Sequence, residues 1–235
     1  MSDRDFVSEG VGAATEMAAI WLGMETAAPG AGFAATAITK LLTGRGKKGK
    51  EILRSELKRA GATARDFRDA EQLAQAAWRY ARAVRDQAAV ENLRILAQAM
   101  IGCARRAELW ASDFLKYADI LAPLSHDELN LIGIMMAEDK AFYSTPRPPN
   151  SEGAFWLWVI ETAVKAPPLA GTFESIEYLN AVAARAVRSG LILPIAGFDG
   201  TSYALSPIGK KVREFVNIES ALRSIDSQTE SDHAG

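Results

Sequence analysis

One stretch of the sequence decides the fold: FESIEYLNAVAARAVRSGLILPIAGFDGTSYALSPIGKKVREFV, residues Phe173–Val216. Apolar residues recur at helical spacing through its first part, and the run ends at Ser189-Gly190, a glycine stop signal. Leu191–Ile195 has the pattern of a short apolar strand, residues 197–200 turn the chain, and residues 201–205 form a returning strand. The stretch therefore predicts a helix followed by a two-stranded hairpin.

Ser206-Pro207 then opens a last helix, with serine in the cap position and proline in the first turn. Helix, hairpin and helix in this order form the layout of a winged helix. We therefore expect a mainly α fold, in which a helical N-terminal part precedes a C-terminal winged-helix-like module with a two-stranded wing. The predicted domains are an Ala-rich helical region at 1–124 with a basic segment at 40–59, a winged-helix-like domain at 125–223, and a disordered tail at 224–235.

The remaining sequence is predicted to be helical wherever apolar residues recur every three to four positions. The expected helices are Glu51–Ala60, Glu71–Arg106 with a break near Asp86–Val90, one capped by Ser112, one behind the capping box at Ser125–Glu128, and Ala154–Ala166. Two short helices in a hairpin are expected within Val11–Leu42, and a proline-rich loop at Ser144–Ser151. The predicted core contains Leu93, Leu96, Met100, Phe114, Leu121, Leu129, Ile132, Trp156, Leu179 and Leu191.

Charge and cysteine content limit the function classes. The formal net charge of −2 gives no overall attraction to nucleic acid or anionic lipid. The single cysteine, Cys103, excludes an intramolecular disulfide, and its apolar neighbours favour a buried thiol over a nucleophile. The first ten residues lack the order of a signal peptide, so we expect a cytoplasmic protein.

The sequence contains no complete catalytic, cofactor or metal signature. Residues 44–50 satisfy the phosphate-loop spacing, but Glu51 stands where a magnesium-binding hydroxyl is needed, and its carboxylate would repel phosphates. The two histidines, His126 and His233, have no partner His or Cys for a metal. We therefore expect a protein that is not an enzyme and that uses no cofactor.

The charge placement in the winged-helix stretch favours a protein-contact or purely structural use over DNA binding by roughly two to one. A DNA-reading helix would present Glu174, Glu177 and Tyr178 first, and carboxylates near phosphates weaken binding. Basic residues lie at the far end of that helix and on the closing helix. The residues predicted to contact a partner or nucleic acid are Arg185, Arg188, Lys210, Lys211 and Arg213.

A second surface is predicted in the N-terminal part. An apolar hairpin followed directly by four cations could lie on an anionic membrane, although close packing in a helical core is favoured by roughly two to one. The residues predicted to contact a membrane or another polyanion are Trp21, Phe33, Arg45, Lys47, Lys48 and Lys50.

Several short motifs are spread over Val90–Val216: Asp113-Phe114, Leu124–Leu129, Ser189–Ile192, Tyr203–Gly209 and Phe215. In their order and architecture they resemble the bacterial abortive-infection alpha type of protein. The resemblance implies a role in halting phage propagation and implies no catalytic residues. The function expected is that of a non-enzymatic interaction or regulatory protein with an unknown protein partner. A DNA-binding regulator, a membrane-surface effector and a homo-oligomer stay open as alternatives.

Overall fold

The computed structural model describes residues 45–67, 69–106, 110–144, 152–165, 173–197 and 200–222. They are mostly helical, with one two-stranded antiparallel sheet after most of the helices, so the predicted mainly α fold is confirmed. Among them, no helix combines the length and apolar character needed to cross a bilayer. Three predicted features lie outside these residues: the hairpin within Val11–Leu42, the loop at 145–150 and the tail at 224–235.

Two compact units divide the chain, Met1–Pro123 and Leu124–Gly235. The described residues of the first unit form a short 3-10 turn at Ala64–Phe67 and four helices, with α3 in contact with the other three. Most residues of α3 are buried, which makes this helix the centre of the first core. The helices are α1 (Arg45–Arg59), α2 (Ala70–Arg85), α3 (Val90–Ala104) and α4 (Trp110–Leu121).

The predicted break between α2 and α3 is confirmed. The backbone N–H of Asp86 bonds to Arg82 O, and Gln87 takes a left-handed conformation with φ of 66°. At the other end of α2, the carboxylate of Asp69 accepts bonds from the N–H groups of Glu71 and Gln72. Side-chain capping at one end and a left-handed residue at the other thus fix the length of α2.

The predicted start of the first helix at Glu51 is wrong, because α1 begins at Arg45 and includes the glycine-rich stretch. Gly49 lies against α2, where an added Cβ would come within 2.6 Å of Val84 Cγ2. The hydroxyl of Tyr80 also donates to Gly49 O at 3.0 Å. These tertiary contacts offset the low helix propensity of glycine, which sequence patterns alone cannot show.

The prediction that Ser112 caps a helix is also wrong, because α4 begins at Trp110 and Ser112 lies inside it. The N–H of Ala111 donates to the side-chain oxygen of Gln72 at 3.0 Å, so α2 satisfies a donor in the first turn of α4. Trp110 is buried and meets Phe67 edge to face, with ring centroids 5.7 Å apart. Tertiary contacts therefore set this boundary.

The described residues of the second unit form several helices and the sheet, and residues 218–222 are also helical. Its elements are α5 (His126–Phe142), α6 (Glu152–Ile160), a π-helical stretch at Glu161–Lys165, α7 (Ile176–Ala186), a 3-10 turn at Val187–Ser189, β1 (Ile192–Gly197), β2 (Gly200–Leu205) and α8 (Pro207–Arg213). The predicted capping box before α5 is confirmed, since Ser125 and Glu128 each bond to the backbone N–H of the other. The first turn of α7 is capped by Ser175, so Glu174, predicted to belong to the helix, precedes it.

The hairpin is antiparallel, with a register that runs from Ile192 opposite Leu205 to Gly197 opposite Gly200. Its first strand starts one residue later than predicted, because Leu191 instead accepts the N–H of Ser206 at 2.9 Å. The stop at Gly190 is confirmed by its φ of 71°, which favours glycine. The hairpin is thereby closed at its base and joined to α8.

The two cores contain all ten residues predicted to be buried. In the second unit α6 contacts both α5 and the sheet. Phe155 meets Phe142 of α5 at 5.5 Å between ring centroids, and Trp156 meets Tyr203 of β2 at 4.9 Å. Cys103 is buried in the first unit, as predicted.

Candidate functional site

Helix α5 supplies two buried carboxylates that organise the basic residues of the second unit. Glu128 lies in its first turn and is 0% exposed, and Asp139 lies near its end and is 5% exposed. The two are about three turns apart, or about 16 Å along the helix axis. A buried carboxylate is costly unless cations or hydrogen-bond donors face it. Each of these two has such partners.

Glu128 holds two arginines from the end of α7 and the turn that follows it. Arg188 Nη2 lies 3.1 Å from each carboxylate oxygen, and Arg185 Nη2 lies 4.0 Å from Oε2. Oε2 also accepts the backbone N–H of Ser125 at 2.8 Å. The same carboxylate therefore caps α5 and attaches the end of α7 to it.

Asp139 holds two cations from α8. Arg213 Nη1 lies 2.6 Å from Oδ2 and 3.4 Å from the carbonyl oxygen of Met136, and Lys210 Nζ lies 3.9 Å from Oδ1. Lys210 Nζ also lies 5.4 Å from the centroid of the Tyr143 ring. Helix α8 is thus attached to α5 through charge pairs.

The structure therefore divides the five basic residues predicted to make contacts. Arg185 and Arg188 meet at Glu128, Lys210 and Arg213 meet at Asp139, and Lys211 is exposed. Four of the five therefore lie beside a buried carboxylate, which partly neutralises their charge. Sequence reasoning missed Glu128 and Asp139 as their partners. The capping box identified Glu128 as a local cap, whereas Asp139 stands between Glu138 and Lys140 and has no such local signal.

The start of α7 presents acidic and aromatic side chains. Glu174 and Glu177 are exposed, and Ile176 and Tyr178 are 39% and 40% exposed. The Tyr178 hydroxyl donates to Asp127 Oδ2 at 2.5 Å, which raises the pKa of the phenol. Bonds from its own backbone N–H and from Ser175 lower the pKa of Glu177, so this carboxylate is ionised at neutral pH.

Helix α6 exposes apolar side chains on its outer face. Leu157 is 64% exposed and Trp158 is 42% exposed, although both lie on a helix whose opposite face enters the core. The indole N–H of Trp158 donates to Glu138 Oε2 at 2.5 Å, and its ring meets Phe142 at 6.0 Å. These contacts fix the orientation of an aromatic ring that stays in contact with solvent.

The residues predicted to contact a membrane or polyanion are described only in part. Arg45 begins α1, Lys47 and Lys48 are exposed, and Lys50 is partly exposed. Trp21 and Phe33 lie outside the described residues, so no apolar face can be joined to these cations here.

Within the part of the chain that the structure describes, no group of three or more His, Cys, Asp or Glu side chains could hold a metal ion. His126 is the first residue of α5 and is exposed, and Cys103 is buried. Among the described residues, neither side chain belongs to a group that could hold a metal ion.

Comparisons with protein families, with curated proteins and with solved structures gave no match to this chain.

Proposed function

We propose that the second unit is a winged-helix-like protein-contact module of a non-enzymatic regulatory protein. The order of its elements is that of a winged helix, which supports the proposal: α5, α6 and α7 are followed by the β1–β2 hairpin and α8. In this arrangement α7 corresponds to the helix that a DNA-reading winged helix would place in the major groove, and the hairpin corresponds to the wing.

The observation that carries the proposal is the concentration of exposed apolar side chains in this unit. Among the described residues eight large apolar side chains are exposed, and all but Trp78 belong to the second unit. Large exposed apolar groups, aromatics above all, are typical of surfaces that bind proteins. The seven are Tyr143, Leu157, Trp158, Ile176, Tyr178, Leu193 and Ile208.

The charge placement supports a protein partner over a DNA duplex. The leading turn of α7 carries exposed Glu177 next to Glu174, which would lie near phosphates in a groove-bound pose. Arg188 and Arg213 are already bonded to Glu128 and Asp139. Moving either arginine to a phosphate would take the nearer of two cations from a buried carboxylate, which costs free energy.

Phage defence is the setting we propose for this contact. The proposal rests on the resemblance between the Leu124–Leu129 and Tyr203–Gly209 motifs and the abortive-infection alpha type of protein. In that setting the module would bind a protein of the infected cell or of the phage.

A DNA-binding regulator is the alternative, and one observation favours it. The Arg185, Arg188 and Lys210 side chains are 56%, 59% and 50% exposed, so each could still meet a phosphate on its outer side. Under this alternative, duplex binding would weaken steeply as salt rises.

A photoreactive amino acid at Leu157 tests the proposal in cells that express the full chain. We expect one discrete cross-linked protein, either a second copy or another chain, that is lost when Trp158→Ala is added. The matched control places the same amino acid at Lys116, whose side chain is 70% exposed in the first unit. No cross-link at position 157, or the same product from position 116, would refute a protein contact on α6.

A further inference from the structure

Helix α2 exposes a tryptophan within a row of arginines. Trp78, Arg82 and Arg85 follow each other at spacings of four and three residues, so they share one face of the helix. Trp78 is 55% exposed, while Leu73, on the opposite side, is 5% exposed. The indole ring is therefore presented to solvent from a helix that is firmly anchored in the core.

The three arginines of this part of α2 differ in their roles. Arg79 is 16% exposed and bonds to Asp119 Oδ1 at 2.9 Å and to Ala118 O, so it ties α2 to α4. Arg82 and Arg85 are 61% and 55% exposed, and they meet the equally exposed Asp86 at 3.4 and 3.3 Å. Such exposed pairs contribute little free energy, so a phosphate group can replace the carboxylate at low cost.

We propose that this exposed face of α2, formed by Trp78, Arg82 and Arg85, binds single-stranded nucleic acid. An unpaired base would stack on the Trp78 indole while the two arginines contact neighbouring phosphates, which is how sequence-tolerant single-strand sites work. The surface belongs to the first unit, so the inference does not depend on the function proposed for the second unit.

A membrane surface fits these observations less well. A helix that lies in a bilayer interface buries a broad apolar face, but Leu73, Tyr80 and Val84 of α2 already face the protein core. One exposed indole remains, which suits stacking on a base. A DNA duplex fits less well too, because its stacked bases are not available to an indole ring.

Fluorescence anisotropy of the full chain with a labelled single strand of about 20 nucleotides tests the proposal, since one site covers about 4–16 nucleotides. We expect binding that weakens between about 50 and 200 mM salt. Trp78→Ala should weaken it about tenfold through lost stacking. Arg82→Glu with Arg85→Glu should weaken binding at least tenfold. The slope of the logarithm of the binding constant against the logarithm of the salt concentration should become shallower by about 1.4, because each phosphate contact in a single strand contributes about 0.7.

The matched control is Lys116→Glu with Lys140→Glu, an equal charge reversal at two exposed lysines outside the proposed surface. Its affinity for the strand should stay within twofold of the wild type, and circular dichroism should show that all variants are folded. The proposal would be overturned if the wild type did not bind the strand, or if the control lost as much affinity as the arginine variant. It would also be overturned if the protein sedimented with anionic phosphatidylserine vesicles in a Trp78-dependent way and did not bind the strand.

Discussion

Glu56 is a carboxylate in the interior of the first unit, where it is 2% exposed. Arg94 Nη1 lies 3.5 Å from its Oε1, Gln98 donates to its Oε2 at 3.2 Å, and Arg59 bonds to it from the helix surface. Arg94 itself is buried. Glu56 and Arg94 therefore join α1 to α3 through a charge pair that water hardly reaches.

Glu56→Gln should destabilise the protein by about 3–5 kcal/mol, because it removes a buried counter-charge of the buried Arg94. Arg59→Gln, which removes the exposed partner, should cost no more than about 1 kcal/mol. Urea unfolding followed by circular dichroism measures both. Replacing Glu56 and Arg94 together by leucine should cost less than Glu56→Gln alone. Equal small losses in the two single variants would show that the pair is not electrostatically important.

Asp69 should make the first unit sensitive to acid. Hydrogen bonds from the side chain and backbone of Gln72 and from the N–H of Glu71 lower the pKa of this carboxyl group. A lowered pKa means that the cap contributes stability above the pKa of the unfolded chain, about 3.9, and loses it as the pH falls through the folded value. Asp69→Asn keeps the cap oxygen but does not titrate.

The melting temperatures of the wild type and of Asp69→Asn at about pH 6 and about pH 3 test this expectation. The advantage of the wild type at pH 6 should shrink at pH 3, since protonation removes the charge that the helix N-terminus favours. A difference that stays constant between the two pH values would contradict the role of the Asp69 charge.

At the scale of helices, the contact between α1 and α2 depends on the absence of a side chain at Gly49. Gly49→Ala should raise intrinsic helix propensity by about 1 kcal/mol but should cost about 1–3 kcal/mol through its overlap with Val84, a net loss. In a Val84→Ala background the overlap is relieved, so the same substitution should become neutral or stabilising. A double-mutant cycle of unfolding free energies measures this coupling, and additive effects would contradict the tight contact.

The sequence predicts helices and strands well where local rules determine them. The capping box at Ser125, the stop at Gly190 and the cap at Ser206 all act through neighbouring residues, and each lies where the sequence indicates. The starts of α1 and α4 could not be predicted, because Val84 and Gln72 fix them from distant positions in the chain.

The same distinction applies to the candidate sites. The basic residues could be identified from their clustering in the sequence, but their pairing with Glu128 and Asp139 depends on contacts between α5 and later helices. Clusters of basic residues can be identified from the sequence, whereas the acidic residues that pair with them in the folded protein cannot.

At the scale of the whole molecule, the net charge is only −2, although the two units expose surfaces of different chemical composition. Among the described residues, the first unit combines exposed cations with one exposed indole, and the second combines acid-paired cations with seven exposed apolar groups. We therefore expect the first unit to contact polyanions and the second to contact protein.

Titration of duplex DNA with the full chain and with Lys210→Glu/Lys211→Glu, at about 50 and about 200 mM salt, tests the protein-contact claim most directly. We expect the variant and the wild type to have the same duplex affinity within twofold at both salt concentrations, because α8 does not contact DNA. Any weak duplex binding by the first unit would be equal in both proteins. Tight duplex binding by the wild type that falls steeply with salt and is lost in the variant would contradict a protein-contact role and establish the second unit as a DNA reader.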